Sequence, residues 1–132
     1  MPFTTKGVRS ISGRVTTAGA AEQTLILVVD GSAAGAIAVP AQMRLSITDL
    51  SCGANGSRAD FTLQQSNTGV AFFPIAKVNT DGTAPDNTQH YSFRTPITVA
   101  GGPSTLVRMR VTTPAGATPV TCTIRAQFQS TD

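Results

Sequence analysis

The chain has 132 residues, with 10 Lys plus Arg against 7 Asp plus Glu, a net charge of +3 and only 13% charged residues. That length suits one domain able to bury a core of its own without disulfides or a metal. The basic excess is mild and falls short of the dense clusters that mark a dedicated nucleic-acid binder. No apolar run follows Met1 in "MPFTTKGVRS", so neither a leader peptide nor a membrane span is expected.

Glu occurs once (Glu22) and Lys twice (Lys6 and Lys77), while Thr, Val, Ser, Gly and Ala crowd the chain. β-branched residues fit a pleated, half-buried surface better than a helix, so the mixture predicts an all-β protein. In chain order, residues 1–10 have little core character and read as an N-terminal arm. "TTAGAAEQ" is compatible with a single helical turn, and helix is otherwise absent. Thr24 to Val29 ("TLILVV") is apolar on both faces, as in a strand covered on both sides or one whose outer face meets another subunit.

Met43, Leu45 and Ile47 then alternate with Arg44, Ser46 and Thr48, and Phe61 and Leu63 alternate with Thr62 and Gln64, each a strand with one wet and one dry face. Val70 to Val78 ("VAFFPIAKV") is a second doubly apolar strand. Asn79 to Gln89 reads as an exposed loop. Phe61, Phe93 and Phe128 hold core positions. The run from Ser92 to Thr113 contains two strands about a Gly-Gly-Pro-Ser turn; in the second, Val107, Met109 and Val111 point inward while Leu106, Arg108 and Arg110 point outward. The last strand is the most regular, with Val120, Cys122, Ile124, Ala126 and Phe128 on one side and Thr121, Thr123, Arg125, Gln127 and Gln129 on the other. "DGSAAG", "CGANGS", "NTDGTAPDN", "AGGPS" and "TPAGATP" supply the turns. Residues 1–132 therefore predict a single antiparallel β-sandwich of about eight to ten strands, with the jelly roll as its candidate topology.

The inventory of catalytic groups is thin. His90 is the lone histidine; it reads as a strand-edge polar residue, the alternative being a general base for which spacing assigns no nucleophile. No nucleophile elbow, phosphate loop, His-Glu-x-x-His or Cys-x-x-Cys is present. Cys52 and Cys122 read as free, buried thiols, a bridge between them being left open by the sequence. With a single His they cannot complete a zinc site. Asn79, Asp81, Asp86 and Asn87 carry calcium-type oxygens without the EF-hand spacing, and Asn55 matches a glycosylation sequon. No cofactor is expected.

Arg44 and Arg125 point outward on their strands, as Arg108 and Arg110 do on theirs. If those strands adjoin, four guanidiniums share one sheet face, either as a solvated surface or as a docking face for an acidic partner. Aromatics are 5% of the chain, with no Trp and Tyr91 the lone Tyr, so the stacking platform of a single-strand nucleic-acid binder is lacking.

The opening "MPFTTKG", strands such as "MRLSITDLS" and "TCTIRAQF", and the Gly/Ala/Thr/Pro turns are similar in character to virion structural proteins. The likeness is above all to the β-sandwich or jelly-roll decoration (cement) proteins of tailed-phage capsids. This resemblance implies a non-enzymatic bacteriophage protein, made in the host cytoplasm and located in the virion. It also implies a homo-oligomer, with a trimer favoured, docked on viral capsid protein. A capsid shell subunit fits the same character. The reading from another class is a carbohydrate- or receptor-binding module, for which an exposed Tyr91 or Phe72 would be the platform.

Overall fold

Period-two alternation gives each long segment a dry side, and those dry sides meet between two sheets. The computed structural model describes residues 5–18 (as backbone), 22–29, 32–54, 58–80, 87–113 and 118–130. Its strands are β1 (Thr5–Ala18), β2 (Gln23–Thr24), β3 (Ile26–Val29), β4 (Ser32–Ala34), β5 (Ile37–Ala38), β6 (Met43–Ala54), β7 (Ala59–Ser66), β8 (Phe72–Thr80), β9 (Asn87–Ala100), β10 (Leu106–Thr112) and β11 (Thr118–Ser130). All pairings are antiparallel, and the described residues contain no helix.

One sheet has the order β4-β3-β1-β11-β6-β9 and the other β2-β10-β7-β8, with β5 also on β10. The pairing is nested: β1 with β11, β2 with β10, β6 with β9, β7 with β8. Successive nested pairs fall in alternate sheets, which is a long hairpin rolled into a two-sheet jelly roll. The all-β sandwich expected from the sequence is thus the observed fold.

The core lies between the sheets. Leu25, Leu45, Leu50, Phe61, Leu63, Met109 and Ile124 are all at most 1% exposed. Phe93 and Phe128 pack against this core while partly buried.

The differences from the expected elements have local causes. The described residues form eleven strand segments, two of them only two residues long, because the apolar run 24–29 changes sheets at Leu25 and two short strands follow it. The Leu25 amide still donates to the Met109 carbonyl of β10 (2.9 Å), while Ile26 already pairs with Arg14 of β1. The arm expected over residues 1–10 is strand from Thr5 onward, because β11 offers it a partner from Thr5↔Gln129 to Ser10↔Arg125; residues 1–4 lie outside the described residues. Thr16–Ala18 of the proposed helical turn likewise continue β1, and residues 19–21 are not described. The loop expected from Asn79 to Gln89 is shorter, since β8 runs to Thr80 and β9 starts at Asn87, where Ala54 pairs with it. Val70, expected in a strand, stands in the preceding turn and is 84% exposed.

Strands β8 and β9 are edge strands of their sheets. Each carries a proline beside a register shift: Pro74 between Leu63↔Ala76 and Gln65↔Phe73, and Pro96 between Ile47↔Ile97 and Asp49↔Ser92. Proline withholds an N–H and a bulge bends the edge, so neither strand offers a straight template to another chain. The Tyr91 hydroxyl on β9 donates to the Asn79 carbonyl on β8 (2.6 Å), joining the two edges.

The "AGGPS" turn locks against the start of β6. Gly101 N–H donates to the Met43 carbonyl (2.7 Å) and Gly102 N–H to the Val39 carbonyl (3.1 Å). A Cβ on Gly101 would lie 1.8 Å from the Pro40 carbonyl oxygen, so only glycine permits this approach of two backbones. Gly101→Ala is therefore expected to cost about 3 kcal/mol or more in denaturant unfolding. Gly35→Ala, whose Cβ would meet only Thr24 Cγ2 at 3.9 Å, should change stability by less than about 1 kcal/mol.

Candidate functional site

The outward arginines fall on opposite sides of the sandwich. Val107, Met109 and Val111 are fully buried, so Arg108 and Arg110 point out from the β2-β10-β7-β8 sheet as alternation requires. Arg44 on β6 and Arg125 on β11 belong to the other sheet. The single face of four guanidiniums therefore does not form, because nested pairing separates β10 from β6 and β11.

Arg108 reaches across β7. Its Nε donates to Gln64 Oε1 (2.8 Å) and its guanidinium carbon stands 3.6 Å from the Phe72 ring centre on β8, a cation–π contact. Burial first, then the charge of Arg110, lowers its pKa, while Glu22 opposes this; a guanidinium nonetheless stays charged at any physiological pH. Arg110 Nη2 meets the Glu22 carboxylate at 3.2 Å and donates to the Glu22 carbonyl (3.4 Å), while its buried Nε has no partner. Both arginines thus strap their own sheet together. Arg44 Nε donates to Gln129 Oε1 (2.8 Å) along the exposed surface of the six-stranded sheet, and Arg125 is exposed opposite Asp49.

The same outer face holds a cluster with no signature in the sequence. Register places Ser51 across from His90 and Asp49 across from Ser92. The Ser51 hydroxyl lies 2.6 Å from His90 Nδ1, and His90 Nε2 lies 3.2 Å from Ser92 Oγ and 3.4 Å from Asp49 Oδ1. With Ser51 as donor, the proton of a neutral ring sits on Nε2, toward Asp49 and Ser92. Serine, histidine and carboxylate are the parts of a nucleophilic triad, yet Ser51 lies within a stretch of β6, residues 49–54, that pairs with β9 on one side and β11 on the other. The backbone flanking Ser51 is thus committed to the two ladders and forms no turn or helix end of the kind that aims free amides at an oxyanion. His90 is 59% exposed at the edge strand, so it occupies the strand-edge position expected of it. The groove of about 290 Å³ lined by Asp60, Thr62, Lys77 and Asn79 lies on the opposite sheet. The arrangement can relay a proton along a polar surface.

Four outward residues of this region, Thr48, Asp49, Ser51 and Ser92, escape sequence reasoning because only strand register brings them together. The six-stranded sheet also exposes Ile26 (49%) and Val28 (40%) on β3. Tyr91 is half-buried with its hydroxyl engaged, and Phe72 lies beneath Arg108; among the described aromatics Phe73 alone is exposed, at 43%. Asp81 and Asp86 of the calcium-type stretch and Asn55 of the sequon lie outside the described residues, while Asn79 and Asn87 belong to strands. Among the described residues no three His, Cys, Asp or Glu side chains converge as metal ligands, and no helix is long and apolar enough to cross a membrane. No family model matches the chain, and no curated protein sequence matches it.

Hydrogen bonds from Ser92 and then Thr48 lower the Asp49 pKa below 3.8, helped by the charges of His90 and Arg125 and opposed by partial burial. A depressed carboxyl pKa contributes stability above its unfolded value that is lost as pH falls through the folded value, so this contribution disappears in the acid range below about pH 4. Ser92→Ala removes the largest cause, and carboxyl-carbon NMR titration should show the Asp49 midpoint moving upward.

Proposed function

We propose that the protein is a non-enzymatic structural component of a virus particle, decorating or cementing a capsid as a homo-oligomer, with a trimer favoured. The observation that carries this reading is the outward face of the six-stranded sheet. It combines half-exposed Ile26 and Val28 with outward Arg44 and Arg125 on a Ser-, Thr- and Gln-rich surface, and Asp49 is the one carboxylate among its described side chains. A face with apolar anchors and few charges to desolvate is costly to leave in water and suits burial against a neighbour. The prolines and register shifts guard the β8 and β9 edges, which turns association there toward the sheet faces.

Arg44 and Arg125 are two cations of this face offered to an acidic shell, and exposed Arg94 stands on β9 of the same sheet. Arg108 and Arg110 brace the opposite sheet through Gln64, Phe72 and Glu22 and serve stability in place of docking. A single exposed ion pair contributes only about 0–1 kcal/mol, so firm attachment rests on many weak contacts repeated over a lattice. A shell subunit would use the same faces, and copy number per particle separates it from a decoration protein.

Light scattering at micromolar concentration should find an oligomer, most directly a trimer; a monodisperse monomer would count against the proposal. Changing Arg44 and Arg125 together to Gln should leave the melting temperature unchanged and lower affinity for the capsid roughly tenfold. Arg108→Gln should do the reverse, lowering stability with capsid occupancy intact. Equal occupancy by the Arg44/Arg125 double variant and the unaltered protein would show that this face is merely solvated.

A further inference from the structure

One rung crosses all six strands of the larger sheet: Ala34 on β4 pairs with Leu27 on β3, Leu27 with Gly13 on β1, Gly13 with Cys122 on β11, Cys122 with Cys52 on β6, and Cys52 with Gln89 on β9. Two cysteines thus stand directly opposite each other on the adjacent interior strands β6 and β11. Both are free thiols and both are at most 1% exposed. Their inward direction follows from alternation, since Leu50 and Ala54 on β6, and Val120 and Ile124 on β11, are buried with them. Gly13 of β1 is the register partner of Cys122 on its other side.

We propose that Cys52 and Cys122 form a latent cross-strand disulfide that locks β6 to β11 when the protein meets an oxidising medium. Directly opposed residues of an antiparallel pair have Cα atoms about 4.5 or 5.5 Å apart, within the roughly 4.4–6.8 Å range over which disulfides close. Neither strand needs to slide. Interaction with the Cys52 thiol, burial and the charge Cys52 would carry all push the Cys122 thiol well above its usual pKa of 9.0. Such a pair is a poor nucleophile toward outside reagents and stays reduced without a driving oxidant. It is also not a metal site, because no third ligand joins it among the described residues and His90 stands on the opposite face of the sheet.

The oxidant is a small disulfide such as oxidised glutathione. One cysteine, exposed by a local opening, attacks it as thiolate, forming a mixed disulfide and releasing one glutathione. The second cysteine then attacks the protein sulfur of that mixed disulfide, the Cys52–Cys122 bond forms, and the other glutathione leaves. The protein has lost two electrons and two thiol protons, and the reagent has gained both. The covalent bond would close the long chain segment between positions 52 and 122, the kind of loop whose closure most restricts the unfolded chain.

The experiment is intact-mass measurement and peptide mapping of the full chain in two arms: the folded protein incubated with oxidised glutathione, and protein refolded in the same buffer so that access to the core does not limit the reaction. The expected product has lost two hydrogens, yields one linked peptide joining Cys52 to Cys122, returns to the thiol form with dithiothreitol, and melts roughly 10 °C higher than the reduced form. Closure in the refolded arm alone supports the lock and assigns its formation to folding. Cys122→Ala, which keeps the site small and apolar, should abolish both the mass change and the shift in melting. Two free thiols in the refolded arm, glutathione adducts in place of the bridge, or a bridged form that melts no higher than the reduced one would overturn the proposal.

Discussion

The antiparallel ladder between β6 and β11 joins the middle of the chain to its end, and its register decides what appears on both sides of the larger sheet. On the inner side it sets Leu45 against Phe128, Leu50 against Ile124 and Cys52 against Cys122. On the outer side it sets Arg44 against Gln129 and Arg125 against Asp49. Since successive side chains alternate, a slip of one residue would send the outward arginines into the core and the buried leucines into water. The irregularity between Arg125 and Ala126 is therefore more than a local defect. It keeps the buried set inward on both halves of two long, twisted strands.

From that ladder the nested pairing builds outward, and it divides the basic residues between two tasks. On the four-stranded path β2-β10-β7-β8, Arg108 spans β7 to cover Phe72, and Arg110 holds Glu22 at the end of the short strand β2. The planar, always-charged guanidinium can stack and bond at once, which is why arginine serves here where lysine would not. On the six-stranded sheet Arg44 and Arg125 have lighter duties and remain available. The Ser51–His90–Asp49 cluster belongs to the same outer surface. Its geometry resembles that of a nucleophilic site, but the setting of Ser51 within a stretch of strand paired on both sides does not.

Much of this was legible in the amino-acid order. The dry and wet sides of β10 and β11 follow residue by residue from alternation, as Val107, Met109 and Val111 against Arg108 and Arg110 show. Gly and Pro marked the turns, and the scarcity of Glu and Lys pointed to strands. Alternation assigns a side chain to a face, however, and says nothing of which strand lies alongside. For that reason the separation of Arg108 and Arg110 from Arg44 and Arg125 was hidden, as was the meeting of Ser51 with His90 across 39 residues. The change of sheet at Leu25 was hidden too, because an unbroken apolar run gives no sign of where two short strands part. The pairing of Cys52 with Cys122 is another product of long-range register.

Under the proposed function, the outer face of the six-stranded sheet is covered in the assembly while the outer face of the smaller sheet is not. Hydroxyl-radical footprinting of the assembled particle against the free protein tests this residue by residue. Ile26 and Val28, exposed at 49% and 40% in the isolated chain, should be oxidised several-fold more slowly in the particle, together with Arg44 and Arg125, while Lys77 and Phe73 keep their free rates. Equal oxidation of Ile26 and Val28 in the two states, or protection confined to Lys77 and Phe73, would contradict the account.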